Sequence, residues 1–108
     1  MKYLISLLAM FFSGVTFSEC GGVSCTDVKI TRLYVTANGD TVISTSGDES
    51  KLSCDAGSSG YITLEQGGNR NYNSTYALLL ASHTTGYPIW VRTSEAGACK
   101  IIYIVSDK

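Results

Sequence analysis

Four cysteines, at positions 20, 25, 54 and 99, follow a short apolar leader, and together they set the terms on which this chain can fold. In the leader, Lys2 supplies a positive start and residues 3–12 form an apolar run. Thr16 and Ser18 then place small side chains at the −3 and −1 positions of a cleavage site before Glu19. The run is shorter than the ~20 residues that a membrane span requires. Residues 1–18 therefore read as a signal peptide, residues 19–108 as a single domain, and the expected location is secreted or periplasmic, with no membrane span.

In an oxidising compartment four cysteines imply two disulfides, with three connectivities available. Cys20 and Cys25 flank Gly21-Gly22-Val23-Ser24, a ring small and flexible enough to close, which leaves Cys54 with Cys99. The main alternative joins Cys25 to Cys99 and Cys20 to Cys54. By loop-closure entropy the longer of the first two bridges contributes about 4 kcal/mol and the shorter about 2 kcal/mol. Such staples matter because a domain this small buries only about 60–65% of the surface its unfolded chain exposes.

Charge and residue counts remove several function classes. Residues 19–108 carry seven Lys and Arg against nine Asp and Glu, a net charge of −2. A nucleic-acid partner is not expected, because phosphate contacts call for a basic excess. His83 is the only histidine and there is no CxxC pair, so neither a zinc site nor a Cys–His nucleophile is expected. Glu65 and Glu95 could act as a glycosidase pair only if the fold set them ~5–10 Å apart, and so small a domain leaves little room for a substrate cleft. The expectation is no enzyme, no cofactor and no metal.

Hydrophobic alternation places a strand over 28–35. Val28 and Ile30 keep one phase, Leu33 and Val35 the other, and a slip of one is what a β-bulge near Thr31 and Arg32 produces. Asn38-Gly39 signals a hairpin, with a returning strand over 41–45. A polar, glycine-rich loop (46–59) precedes a strand over 61–65 and a loop over 67–72. Asn73 or Ser74 is a candidate N-cap for a helix running from Tyr76 to Thr85, and Gly86 the residue that ends it. Strands over 88–92 and 100–105 flank a turn at 94–98. The order β-β-β-α-β-β, mainly β with one helix, is that of the five-stranded OB-fold Greek-key barrel, with the helix across one end.

Two elements carry more apolar surface than one small barrel needs. Leu78, Leu79 and Leu80 fan over about 200° of a helix; Tyr76, Leu79 and Leu80 form a stripe for the barrel end, and Leu78 faces elsewhere. The last strand is apolar on both faces, with Ile102 and Ile104 on one and Ile101, Tyr103 and Val105 on the other. Cover by the 46–59 loop and the N-terminal ring explains this, and so does a subunit interface in a homo-oligomer.

Residues 76–92, YALLLASHTTGYPIWVR, resemble the helix–Gly–strand stretch of OB-fold B subunits from bacterial A-plus-five-B toxins, of the Shiga-toxin, subtilase-cytotoxin and pertussis-like types. Cys99, just ahead of a final apolar strand, adds to the likeness, which covers residues 76–105. The resemblance implies a lectin-like, glycan-binding subunit that recognises cell-surface oligosaccharide, usually a pentamer with helices lining a central pore, in some cases partnered by a toxin A subunit. It also implies Cys25–Cys99 pairing, as in Shiga-type subunits. The family's sugar-contacting residues have no counterpart that can be aligned here. The alternative is a secreted, disulfide-stapled protein-interaction or inhibitor module that binds no sugar.

Sugar sites combine an aromatic platform with polar groups. Trp90 and Arg92 are candidates if Ile89 and Val91 point inward; with the opposite phase Trp90 is core. Arg70, Asn71 and Tyr72 form a polar, aromatic loop that a solvated turn would explain equally well. Tyr34 is either a barrel-rim residue or a ligand contact. His83 sits where its partial charge suits the helix C-terminus, and Asn73-Ser74-Thr75 is a glycosylation sequon by pattern, with Asn73 read as a cap.

Overall fold

A computed structural model describes residues 18–107. The leader expected over residues 1–18 lies, but for Ser18, outside the described residues. The described chain is mainly β with one helix: β1 (Glu19–Gly21), β2 (Ser24–Val28), β3 (Ile30–Val35), β4 (Thr41–Thr45), a 3-10 turn (Glu49–Lys51), β5 (Ile62–Leu64), α1 (Tyr72–Thr85), β6 (Ile89–Thr93) and β7 (Ile101–Val105). The expected single five-stranded closed barrel is replaced by seven strands in two antiparallel sheets, one ordered β1-β2-β6-β7 and the other β3-β4-β5.

Two local events account for the higher strand count. The strand expected over 28–35 breaks at Lys29, so its first part enters one sheet and its second part the other. The N-terminal ring is itself a hairpin, in which Cys20 and Cys25 are register partners across β1 and β2 as well as disulfide partners. Hydrophobic alternation does not reveal so short a strand, and the cysteine spacing points only to the ring. The second disulfide joins Cys54 to Cys99.

The β3–β4 register shifts between Ile30 and Arg32, so the expected bulge is present at Thr31. A second bulge lies just upstream of the strand that the alternation marks. The β2–β6 register shifts between Cys25 and Val28, and there Asp27 adopts φ 53°, the one non-glycine with positive φ among the described residues. The Asn38-Gly39 hairpin forms, but through a loop closed by the Thr36–Asp40 and Gly39–Thr36 backbone bonds, wider than a two-residue turn.

The sheets share one core, in which Val28, Ile43, Ile62, Leu64, Leu79 and Val91 are all but fully buried. Short pairings close the seam between them. Thr63 N–H donates to the Cys99 carbonyl at 2.9 Å and Asp55 N–H to the Gly97 carbonyl at 2.7 Å, beside the Cys54–Cys99 bridge. On the opposite side Gly47 lies against the first disulfide: a Cβ there would sit 2.8 Å from Cys20 Sγ.

The helix starts four residues before the expected Tyr76. Asn71 holds the N-cap position without a side-chain bond, so Asn73 is not the cap and lies exposed in the first turn. Tyr72 anchors that end instead. Its phenol donates to the Gly39 carbonyl at 2.6 Å and, with its single proton so used, accepts from Thr41 Oγ1 at 2.7 Å. Gly86 ends the helix at φ 76°, its N–H bonded to the Ser82 carbonyl, as expected. Of the three leucines only Leu79 is fully buried; Leu80, expected on the covered stripe, is exposed. His83 Nδ1 donates to the Ile30 carbonyl at 3.1 Å, which ties the last turn to β3.

Candidate functional site

Along β6, burial alternates. Ile89, Val91 and Thr93 are buried while Trp90 and Arg92 face away from the core. Residues directly opposite in an antiparallel ladder share a face. The register therefore puts Val105 beside Trp90, and Tyr103 beside Arg92. Trp90 is 42% exposed and Tyr103 44%. The outer surface of the four-stranded sheet is an aromatic and aliphatic strip flanked by one guanidinium.

At the end of that strip lies a shallow depression of about 370 Å³. Trp90, Pro88 and Val105 give it apolar walls, and Thr26, Asp27 and Asp107 contribute polar groups. The bulge in β2 brings Asp27 there: one extra residue against β6 turns the chain through the left-handed region and holds the carboxylate at the margin. The Asp27 carbonyl accepts from Ser18 Oγ at 3.0 Å, a bond that cleavage before Glu19 would remove. An exposed indole face with hydroxyl and carboxylate acceptors at its edge suits a ring that is apolar on one side and bears hydroxyls around its rim.

The structure does not unite the six residues singled out in the sequence. Trp90 and Arg92 share the outer face of the four-stranded sheet. Tyr34 is on β3 in the other sheet, where its ring meets Tyr61 edge-on at 5.6 Å. Arg70 and Asn71 stand exposed in the loop before α1. Tyr72 is committed to Gly39 and Thr41, and its ring stacks on Tyr76 at 6.2 Å. Sequence reasoning missed Thr26, Asp27 and Asp107. The only available signal was the spacing between Cys25 and Val28, one residue too long to keep both inward on an unbulged strand.

Around Tyr61 there is a second depression, lined by Thr31, Arg32, Ser44 and Ser59. Elsewhere, Glu65 forms an ion pair with Lys100 at 2.6 Å, and the hydrogen bond that Lys100 donates to Glu65 holds the lysine above its ordinary pKa. Glu49 is buried, its Oε2 accepting from Thr45 N at 2.6 Å and Thr45 Oγ1 at 3.1 Å, a structural assignment. No group of three His, Cys, Asp or Glu among the described residues is placed to hold a metal ion. No helix among them is long and apolar enough to cross a membrane. No family model, curated protein or solved structure matches the chain.

Proposed function

We propose that this chain is an exported, lectin-like subunit that binds oligosaccharide through the depression at Trp90. The observation that carries the reading is the exposed Trp90 ring beside Thr26, Asp27 and Asp107. Stacking on the indole would hold a sugar's apolar face, and the carboxylates would accept from its hydroxyls.

The pairing order supports an OB-type ancestry for the scaffold. If β2 and β3 count as one strand interrupted at Lys29, pairing runs from β3 through β4 to β5. It continues by the parallel Thr63–Lys100 bridge to the segment entering β7, then through β6 back to β2. Two disulfides suit an oxidising compartment. Assembly into a homo-oligomer such as a pentameric ring, with or without a toxin A subunit, belongs to the same proposal. Its support is the uncharged strand β7, with Ile102 60% exposed, and the helix α1, which has no Asp, Glu, Lys or Arg.

Trp90 is the only tryptophan, so its fluorescence reports on the site directly. Titration with oligosaccharides that bind on a glycan array is expected to shift or quench the emission, and Trp90→Ala to weaken retention on the immobilised glycan at least about tenfold without lowering the melting temperature. Folded, oxidised protein that binds nothing on a broad array overturns the reading. The exposed Ile102 and Tyr103 on the sheet edge would then favour a protein-interaction or inhibitor module, with capture of a protein partner unaffected by glycan removal as its test.

A further inference from the structure

The second depression, on the three-stranded sheet, is independent of the first. Its geometry begins with the bulge at Thr31. Because one additional residue of β3 is inserted between the Ile30–Thr45 and Arg32–Ser44 pairs, Thr31 and Arg32 are both exposed instead of alternating. Ser44 is the register partner of Arg32 and shares its face. Ser59 and Tyr61 come from the segment entering β5, which Ser44 holds against the sheet by donating to the Gly60 carbonyl at 3.2 Å.

Arg32 is held in place, not free to sweep the solvent. Its Nη1 donates to Tyr61 Oη at 3.0 Å, and the Tyr61 ring is braced edge-on by Tyr34. No carboxylate lines the depression, and the single ion pair among the described residues is Lys100–Glu65. The guanidinium therefore shares the depression with the hydroxyls of Thr31, Ser44 and Ser59, and the nearby Glu49 carboxylate, behind Gly60, is committed to Thr45.

We propose that this depression binds a tetrahedral oxyanion, the sulfate or phosphate ester group of a small ligand. A guanidinium binds such oxygens through two parallel N–H donors. Thr31 on β3 and Ser59 in the loop before β5 add hydroxyl donors to those of the guanidinium, the Ser44 proton being committed to Gly60. That arrangement suits an anion with three terminal oxygens better than a planar carboxylate. The site is open to solvent, so binding weakens as salt is raised.

The test is an amide-resolved NMR titration of the oxidised protein. The probes are N-acetylglucosamine 6-sulfate and glycerol 3-phosphate, which separate a sulfated sugar from a phosphate head group, with N-acetylglucosamine and acetate as controls. Shifts confined to Thr31, Arg32, Ser44, Ser59 and Tyr61 are expected with one or both esters and not with the controls. Arg32→Gln is expected to weaken them about tenfold or more, and Arg32→Lys, which keeps the charge without the fork, to weaken them less. Variant spectra with unchanged dispersion elsewhere show the fold intact. Equal response to acetate or to the neutral sugar, no response to either ester, or shifts that survive Arg32→Gln overturn the proposal. A response confined to the Trp90 depression also overturns it and leaves the lectin reading standing.

Discussion

Two bulges on one run of chain, at Asp27 in β2 and at Thr31 in β3, open two depressions of opposite character. The first feeds the four-stranded sheet and brings a carboxylate to the margin of an indole; the second feeds the three-stranded sheet and sets a guanidinium against a phenol. Both use the same device: a single inserted residue puts a polar side chain where alternation would not have put it. They differ in what holds them. The first stands next to the Cys20–Cys25 hairpin and relies on a left-handed aspartate. The second has no disulfide within its strands and is kept in order by the Arg32–Tyr61 and Ser44–Gly60 hydrogen bonds. One short segment can thus serve two surfaces of different charge without a change of fold.

Removing the long bridge breaks the comparison most completely. Cys54→Ala with Cys99→Ala is expected to lower stability by about 4 kcal/mol in urea unfolding and to disorder both depressions together, because the bridge sits on the seam between the sheets. Cys20→Ala with Cys25→Ala should cost about 2 kcal/mol and disturb chiefly the Trp90 side. Backbone strain separates the two bulges next. Asp27→Val puts a β-branched residue at positive φ and is expected to cost about 1–2 kcal/mol, whereas Thr31→Val, at a bulge with no such strain, should stay within about 0.5 kcal/mol. The smallest effect is at the Lys100–Glu65 pair, which links β5 to the segment entering β7. Because the folded-state pKa of Lys100 is raised, the pair contributes below the ordinary lysine pKa, and that contribution is lost as the pH climbs through the folded value. Thermal melts should therefore show a small alkaline loss of stability that Glu65→Gln abolishes.

Much of this scaffold was legible from local pattern. The strand 41–45, the helix ending at Gly86 and the bulge at Thr31 all follow from apolar phase and turn chemistry, which are short-range. The inward phase of β6, on which the exposure of Trp90 depends, was open in the sequence, since Ile89-Trp90-Val91 reads apolar in either register. Strand β1 escaped because three residues containing a glycine carry no period, and the helix start because Tyr72 is held by a distant hairpin and not by a local cap. Asp27 and Arg32 escaped for a related reason: neither belongs to a motif, and each acquires its surroundings only when a bulge meets a neighbouring strand.

The hairpin knotted by Cys20 and Cys25 has one further consequence. It occupies the outer margin of β2 with a ribbon too short to stay there by its own backbone bonds. With the thiols oxidised, the flank beside β2 ends in the three-residue strand β1; in a reducing milieu β1 is free to peel away and bare the longer edge of β2. The redox state of two neighbouring sulfurs thus sets how long an edge the molecule offers to another chain, and with it the hazard of aggregation.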